Sequence, residues 1–238
     1  MEWKIIHLDE TESTNQWLKE QRDDATEPIA VWADFQTAGR GCGTNTWESE
    51  RGKNLTFSLL IHPTEVPANR QFAISEWISV ALCETLEHYI YNKVEIKWPN
   101  DIYVEGRKIA GILIENTLKG NHIKDSIIGI GLNVNQQEFK SDAPNPVSMF
   151  QILGHEVDRE EVLQFFLWQK TIFSDVEKNV FHYRKRLFLR GKKATYEDKY
   201  GRFQATLVDV EPDGRLLLRD EEGRERRYAF KEVQFILA

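Results

Sequence analysis

The sequence predicts an α+β fold with α/β-like character, in which helices flank a central mixed β-sheet and a small β-barrel follows at the C-terminus. Three observations support this class. Short apolar runs between turn-forming residues recur up to about residue 134, a longer stretch with helical periodicity lies among them, and short strand-like runs resume after residue 195. Hairpin strands with interposed helices are typical of sheet domains of this class.

The first part of the chain predicts strands alternating with helices. Ser13 and Gln16 have the spacing of a capping box, which predicts that a helix begins there. Two apolar strands are expected next, at residues 29–35 and 55–61. A helix is predicted over residues 69–91, because apolar side chains recur four apart along one face: Ile74, Ile78, Leu82 and Leu86.

The middle of the chain predicts a series of hairpin strands, at residues 95–98, 101–104, 108–115 and 127–134. Glu105 and Gly106 predict a tight turn between two of them. Asp158 and Glu161 form a second capping signal, and the helix they begin is expected to continue to about Arg186. Its inward face is predicted to hold Val162, Phe166, Phe173, Val176 and Val180.

The last part of the chain has a different texture. Short apolar runs from Thr195 onward are divided by Asp213-Gly214 and Glu222-Gly223, a spacing that is typical of a small β-barrel or sandwich. We therefore predict two domains, over residues 1–190 and 191–238.

The composition is that of a globular protein. The chain has 238 residues, of which 41% are hydrophobic and 29% charged, and a formal net charge of -7. Cys42 and Cys83 lack metal-ligand spacing, so no metal site and a reducing, cytoplasmic location are expected. The sequence has no secretory signal or membrane-spanning run, and its acidic balance argues against nucleic-acid binding.

A glycine-rich loop is the first candidate for a binding site. Gly39, Gly41 and Gly43 flank Arg40 and Cys42, and Trp47 follows. Glycine lets the backbone approach a ligand and point its amides toward an anion, and arginine offers a planar fork for phosphate or carboxylate. The indole of Trp47 can stack on a flat ring. The alternative is a surface loop that needs glycine only for its turns.

Two charged segments, KWPND at residues 97–101 and RKIAGILIE at 107–115, interrupt the predicted sheet. A Trp-Pro corner can turn Asn100 and Asp101 into a cleft. Lys108 begins an apolar strand whose small residues leave room for a ligand, and its charge suits a phosphate. Taken singly, such charges are more often a solvated surface pair.

A third pattern is a pair of glycines, Gly129 and Gly131, inside an apolar strand that continues to Asn133. Glycine at these positions indicates close packing against a ligand or another backbone, and the Asn133 amide can read the edge of a base. A β-bulge is the alternative.

Together these segments resemble the catalytic region of biotin protein ligases, also called holocarboxylase synthetases. The resemblance covers about residues 3–190, and the remainder is similar to the small SH3-like domain that usually follows. It implies the fold of class II aminoacyl-tRNA synthetases and biotin ligases, in the short form without a DNA-binding region. The matching segments, in the family's order, are Ser13–Asn15, Gln36–Gly41, Trp47, Lys97–Asp101, Arg107–Leu113 and Gly129–Asn133.

The resemblance implies a site for biotin and ATP. Residues 13–15 would line the pocket near the ureido ring, Gln36 would lie beside the valeryl chain, and Trp47 would pack against adenine with Asn133 nearby. The implied ligand-binding residues are Ser13, Thr14, Asn15, Gln36, Gly39, Gly41, Cys42, Trp47, Lys97, Asn100, Gly111, Leu113, Gly129, Gly131 and Asn133.

The implied reaction has two steps. The biotin carboxylate attacks the α-phosphorus of ATP, pyrophosphate leaves with Mg²⁺, and a lysine of a biotin carboxyl carrier domain then attacks the resulting biotinyl-5′-AMP. Arg40 and Lys108 would offset the repulsion between the two reacting anions. Asp101 would orient or deprotonate the carrier's amine. The partner implied is the carrier domain of a biotin-dependent carboxylase.

The chain departs from the family pattern at two positions. The family usually has arginine in place of Cys42 and glycine in place of Thr44. One hypothesis is that the adenylate is held less tightly; the alternative is that neighbouring backbone amides compensate.

Two other functions are also compatible with the sequence. A lipoate ligase or octanoyltransferase shares the fold, and the Cys42 thiol next to the glycine loop is compatible with a transferase nucleophile. A non-catalytic sensor of biotin or its adenylate is the other, and only the changes at Cys42 and Thr44 favour it. A DNA-binding repressor is disfavoured by length and charge.

Overall fold

The computed structural model describes residues 2–140, 145–169 and 176–237. Its strands are β1 Lys4–Thr11, β2 Ile29–Gln36, β3 Leu55–Ile61, β4 Val94–Lys97, β5 Asp101–Val104, β6 Arg107–Lys119, β7 His122–Leu132, β8 Lys193–Asp198, β9 Gly201–Val210, β10 Leu216–Asp220, β11 Glu225–Tyr228 and β12 Val233–Ile236. Its α-helices are α1 Thr14–Gln21, α2 Phe72–Tyr89, α3 Met149–Leu153, α4 Arg159–Trp168 and α5 Val176–Arg186.

The first seven strands form one mixed sheet in the order β1-β2-β3-β7-β6-β5-β4. β1 and β2 are parallel, and the other neighbours are antiparallel. Glu105 and Gly106 both have positive φ, 51° and 75°, in the turn between β5 and β6. These values suit a type I′ turn, and they confirm the tight turn that the sequence predicts. The predicted central mixed sheet is confirmed.

The two faces of the central sheet carry different side chains, and β3 shows why. Its residues are all buried, but alternate side chains point to opposite faces. Phe57 and Leu59 belong to the large core beneath α2, whereas Leu60 packs in a smaller cluster with Leu18 of α1. Ser58 also faces α1, since its hydroxyl contacts Asn15 on that helix. The α1 face therefore contains buried polar groups.

The five remaining strands form a second sheet in the order β11-β10-β9-β8-β12. Its buried residues alternate along β10, where Leu216 and Leu218 are fully enclosed. The indole N–H of Trp98 donates a hydrogen bond of 2.9 Å to the carbonyl of Gly214. This bond connects the end of β4 to the C-terminal sheet. Within the three described ranges, no helix is long and apolar enough to cross a membrane.

Two local predictions were wrong. Ser13 is the N-cap of α1, but its side chain makes no capping hydrogen bond, so the expected capping box is absent there. The single helix expected over 158–186 ends at Trp168, because Gln169 has a non-helical ψ of 115°. Asp158 does cap α4, accepting from the backbone amides of Glu160 and Glu161.

The predicted inward face of that helix is partly described. Val162 and Phe166 are buried, and Val180 is half-buried. Phe173 lies outside the described residues, as does the side chain of Val176.

Candidate active site

A cleft of about 50 Å³ opens on the α1 side of the central sheet. It lies between α1, the loop after β2, and the middle of β6 and β7. Its lining includes residues from every sequence segment singled out above. The lining residues are Ser13, Thr14, Asn15, Gln36, Arg40, Gly41, Cys42, Trp47, Phe57, Asn100, Lys108, Gly111, Ile112, Leu113, Gly129, Ile130 and Gly131.

One end of the cleft is a network of buried polar groups. The backbone amide of Thr14 donates to the side-chain oxygen of Gln36 at 2.8 Å, and the Thr14 hydroxyl lies 2.6 Å from the Ser58 hydroxyl. The Ser58 hydroxyl donates to the side-chain oxygen of Asn15, Oδ1, at 2.6 Å. Such a network fixes the directions of its donors and acceptors before a ligand arrives, because each group already has a partner.

Glu115 continues this network into the cleft. It accepts hydrogen bonds from Asn15 Nδ2 at 2.9 Å and Lys19 Nζ at 2.7 Å, and Arg40 Nη2 lies 3.6 Å away. Burial acts to raise the pKa of this carboxyl, but the Lys19 ammonium and the Asn15 amide outweigh it and hold the pKa below its usual value. Glu115 is therefore ionised at neutral pH and anchors both Asn15 and Arg40.

The floor of the cleft consists of glycines on two neighbouring strands. A Cβ at Gly129 would overlap the Asn15 amide, and one at Gly131 would overlap the indole of Trp47. A Cβ at Gly111 would lie 3.1 Å from the same indole. Glycine is thus favoured here by the close approach of two side chains, Asn15 and Trp47, and Trp47 lies inside the cleft against β6 and β7.

The glycine-rich loop is folded as a short hairpin. Gly41 N donates to Asn45 O at 2.8 Å, and Trp47 N donates to Gly39 O at 2.9 Å. Gly39 is buried beneath this hairpin, where a Cβ would lie 2.8 Å from the Trp47 carbonyl. The hairpin places Arg40 at the cleft with its side chain about half exposed.

The opposite end of the cleft is rich in positive charge. Lys108 Nζ lies 2.6 Å from Asp101 Oδ1, and Lys97 Nζ lies 3.9 Å from Asp101 Oδ2. Burial lowers the pKa of Lys97, because the low-polarity surroundings disfavour its charged form. The Lys97 ammonium also faces the rings of Tyr103 and Phe235, at 5.3 and 5.2 Å from their centroids. Lys97 therefore lies behind Asp101, whereas Lys108 reaches the cleft.

Cys42 lines the cleft beside Asn100 and Ile112. Its sulfur accepts a hydrogen bond of 3.0 Å from Asn100 Nδ2 and lies 3.9 Å from the carbonyl of Ile112. Burial raises the pKa of the thiol, and the Asp101 carboxylate adds to this effect. The thiol is therefore protonated at neutral pH, which makes it a weak nucleophile.

Most of the predicted site residues meet in the cleft, and four do not line it: Gly39, Lys97, Asp101 and Asn133. Asn133 is buried, and its amide donates to the Val147 carbonyl at 3.0 Å. Lys97 and Asp101 lie behind the lining, as described. Sequence reasoning missed Ser58 and Glu115. The signal for Ser58 was a serine between the apolar residues Phe57 and Leu59, and the signal for Glu115 was a charged residue at the end of RKIAGILIE.

No group of three or more His, Cys, Asp or Glu side chains comes close enough to hold a metal ion in the described parts of the chain. Asp101 and Glu115, the carboxylates nearest the cleft, are already paired with Lys108 and Lys19. These residues do not form a resident metal centre.

Residues 8–133 match the model of the biotin/lipoate A/B protein ligase family. The bifunctional ligase/repressor BirA of Bacillus spizizenii is 31% identical over an alignment of 238 positions, gaps included, which covers 94% of this chain and 72% of that protein. The biotin–[acetyl-CoA-carboxylase] ligase of Paracoccus denitrificans is 31% identical over 176 residues, covering 69% of this chain and 72% of that protein.

A solved structure agrees with these sequence matches. The biotin protein ligase from Aquifex aeolicus in complex with biotin and ATP superposes with a TM-score of 0.81 at 27% identity, over 99% of each chain. This chain belongs to the biotin/lipoate A/B protein ligase family.

Proposed function

We infer that this chain is a biotin protein ligase, which uses ATP to form biotinyl-5′-AMP and transfers biotin to a lysine of a carrier protein. The observation that carries this inference is the arrangement of the cleft. A preorganised polar end, a glycine floor and a cationic end follow one another in a single cavity. The match to biotin ligases along almost the whole chain supports the same activity.

The polar end suits the ureido ring of biotin, which has two N–H donors and one carbonyl acceptor. The Ser13 hydroxyl makes no capping bond, so it is available for the ring. Thr14 and Asn15 are held in place by Ser58 and Gln36. A site whose donors and acceptors are fixed in advance loses little entropy when the ligand binds.

Arg40 and Lys108 suit the reacting anions. A biotin carboxylate oxygen attacks the α-phosphorus of ATP, and the bond from that phosphorus to the pyrophosphate oxygen breaks with its electron pair on pyrophosphate. Two negative groups must approach closely, so nearby cations lower the barrier by stabilising the charge. Mg²⁺ enters in this proposal bound to the phosphates of ATP, since the described side chains form no metal centre.

Trp47 and the glycine loop would enclose the adenylate. The indole lies in the cleft directly against Gly131, in the space between the two ends of the site. Ligand binding therefore requires Trp47 to leave the glycine floor, and in its new position the indole would pack against adenine. An enclosed mixed anhydride is protected from hydrolysis.

The second step would use Asp101 to orient or deprotonate the lysine of the carrier, which we propose is the biotin carboxyl carrier domain of a biotin-dependent carboxylase. The amine attacks the biotinyl carbonyl and AMP leaves. We also propose a cytoplasmic location, where such carboxylases meet ATP and free biotin.

The alternatives make different demands on the site. An octanoyltransferase that used Cys42 would need a thiolate, and burial raises the pKa of this thiol. A sensor would bind biotin without forming pyrophosphate.

Biotin-dependent exchange of labelled pyrophosphate into ATP tests the first step directly. The exchange should require biotin and should not be supported by lipoate or octanoate. Exchange with lipoate alone would identify the chain as a lipoate ligase instead. Tight binding of biotin without exchange would identify it as a sensor.

A further inference from the structure

Lys231 connects the C-terminal sheet to the glycine loop. It lies in the turn between β11 and β12, but its ammonium group reaches Gly43, where a Cβ would overlap Lys231 Nζ. Gly43 is adjacent to Cys42 and has a positive φ of 72°. The two segments are 188 positions apart in sequence (231 − 43), so this contact arises only in the folded chain.

The backbone of Lys231 is unusual. Its φ is 69°, in the left-handed region that favours glycine and is costly for a residue with a Cβ. Non-glycine residues held in this region are found preferentially at functional sites. A glycine here would relieve the backbone and would lose the charge. The lysine therefore points to a role for its side chain.

The charge of Lys231 is unbalanced. In the described part of the chain no carboxylate lies within 4.0 Å of its ammonium group, which faces the ring of Phe230 at 5.8 Å from the centroid. The neighbouring Glu232 accepts from the Ala229 amide at 2.7 Å. Lys108 and Lys97 share one carboxylate, Asp101. Both Lys108 and Lys231 are close enough to Cys42 to act electrostatically on its thiol. The region around Cys42 therefore has an excess of positive charge that suits a polyanion.

A second cavity, of about 480 Å³, adjoins the cleft at this point. The two cavities share Cys42, Asn100, Ile112 and Leu113. Lys231 lies in the wall of the second cavity, which also includes Pro99, Ile114 and Phe230. These apolar groups offer no counter-charge, so an anion entering from the cleft would face Lys231.

We propose that Lys231 binds the β- and γ-phosphates of ATP and then the pyrophosphate leaving group. This inference rests on the proposed function, since the α-phosphate is placed there beside Arg40 and Lys108. The next two phosphates then extend past Cys42 toward the second cavity. When the bond between the α-phosphorus and the bridging oxygen breaks, the electron pair passes to pyrophosphate, whose added negative charge Lys231 stabilises.

The test compares Lys231→Gly and Lys231→Arg with Lys199→Ala, an exposed lysine of the same sheet. ATP binding is measured by calorimetry in the presence of the alcohol analogue of biotin, which cannot be adenylated. Lys231→Gly should raise the Kd for ATP and the inhibition constant of pyrophosphate about tenfold, a loss typical of one charged phosphate contact. The Kd for biotinyl-5′-AMP should change less than twofold. In Lys231→Arg both constants should stay within threefold of those of the original chain. In Lys199→Ala they should be unchanged.

The same variants separate this role from a structural one. Glycine suits a φ of 69°, so Lys231→Gly should not lower the melting temperature even though it weakens ATP binding. Unchanged binding of ATP and pyrophosphate would overturn the proposal. So would equal losses for ATP and biotinyl-5′-AMP, which indicate loop positioning, or a loss confined to the KM for the carrier, which indicates docking. Absence of adenylation by the original chain would instead overturn the proposed function.

Discussion

Lys108 and Asp101 form an ion pair across neighbouring strands, with the lysine Nζ 2.6 Å from the carboxylate Oδ1. They come from two separate segments, and β5 and β6 bring them together at a register shift between Ile102 and Tyr103. The proposed function gives them roles in different steps, Lys108 in adenylation and Asp101 in transfer. Because the two groups form an ion pair, each partly neutralises the charge of the other at the cleft.

The first prediction concerns this pair. Lys108→Gln should reduce the rate of biotinyl-5′-AMP formation by at least about 100-fold, because a preorganised cation beside the α-phosphate is lost. Single-turnover formation of the adenylate measures this. The matched control is Lys119→Gln, an exposed lysine at the end of the same strand. A fall of less than threefold would contradict the role given to Lys108.

Asp101→Asn gives the complementary result. Adenylate formation should change less than the transfer of biotin from preformed adenylate to the carrier, since only transfer needs the carboxylate to receive or orient the amine proton. Equal losses in both steps would mean that Asp101 acts only by positioning Lys108.

The second prediction concerns the glycine floor. In Gly129→Ala the new Cβ overlaps the Asn15 amide, so Asn15 must shift away from Ser58 and Glu115. Biotin affinity should fall at least tenfold, and the protein should be destabilised by about 1–3 kcal/mol, as is usual for overpacking. Calorimetric titration with biotin and denaturant unfolding measure the two effects.

A double variant provides the control. Gly129→Ala combined with Asn15→Ala removes the overlap. The loss of unfolding free energy in the double variant should therefore be smaller than the sum of the losses in the two single variants. Strict additivity in the unfolding free energies would show that Asn15 does not lie against Gly129.

The strands could be predicted closely from sequence, because burial on both faces of a sheet gives compact apolar runs. Residues 55–61 and 101–104 match β3 and β5 at both ends. The predicted strands at 108–115 and 127–134 were too short at their shared turn, where β6 and β7 continue as a hairpin, exposed at its tip, to Lys119 and from His122. Polar residues in that hairpin carry no burial signal.

The helix break at Gln169 was not predictable, since the sequence there contains neither glycine nor proline. The sequence predicted which segments form the site, but not which side chains contact one another within it. Glu115 and Lys231 gain their importance from partners far away in sequence: Asn15, Lys19 and Gly43. A single sequence shows no such pairing, because only tertiary packing creates it.

The third prediction concerns the loop cysteine. Cys42→Arg should slow the release of biotinyl-5′-AMP about tenfold, because it adds a charge-assisted contact to a phosphate. Retention of labelled adenylate during rapid gel filtration measures the release. Cys42→Ser, which keeps the hydrogen bond from Asn100, should behave like the original chain. Unchanged release from the arginine variant would favour compensation by backbone amides.

The fourth prediction concerns pH and stability, at a buried carboxyl outside the site. Burial raises the pKa of Glu76 to about 7, from an ordinary value of 4.5. The folded chain therefore holds this proton more tightly than the unfolded chain, and stability declines as the pH rises from about 4.5 to above 7. Glu76→Gln should remove this decline, which corresponds to about 3 kcal/mol at most.

Unfolding of Glu76→Gln and of the exposed control Glu65→Gln should be followed at pH 5 and pH 8. The gain in melting temperature for Glu76→Gln should be larger at pH 8 and absent from the control. An equal gain at both values would show that Glu76 is already ionised at pH 5.

The most direct test of the central claim offers biotin, lipoate and octanoate in equal amounts to the purified chain, with ATP, Mg²⁺ and an apo carrier domain. Intact-mass spectrometry of the carrier then identifies the acyl group that was attached. We expect one biotin-sized increase, on a single lysine, that disappears without ATP. An increase of the size of lipoate or octanoate, or no increase with biotin tightly bound, would contradict it.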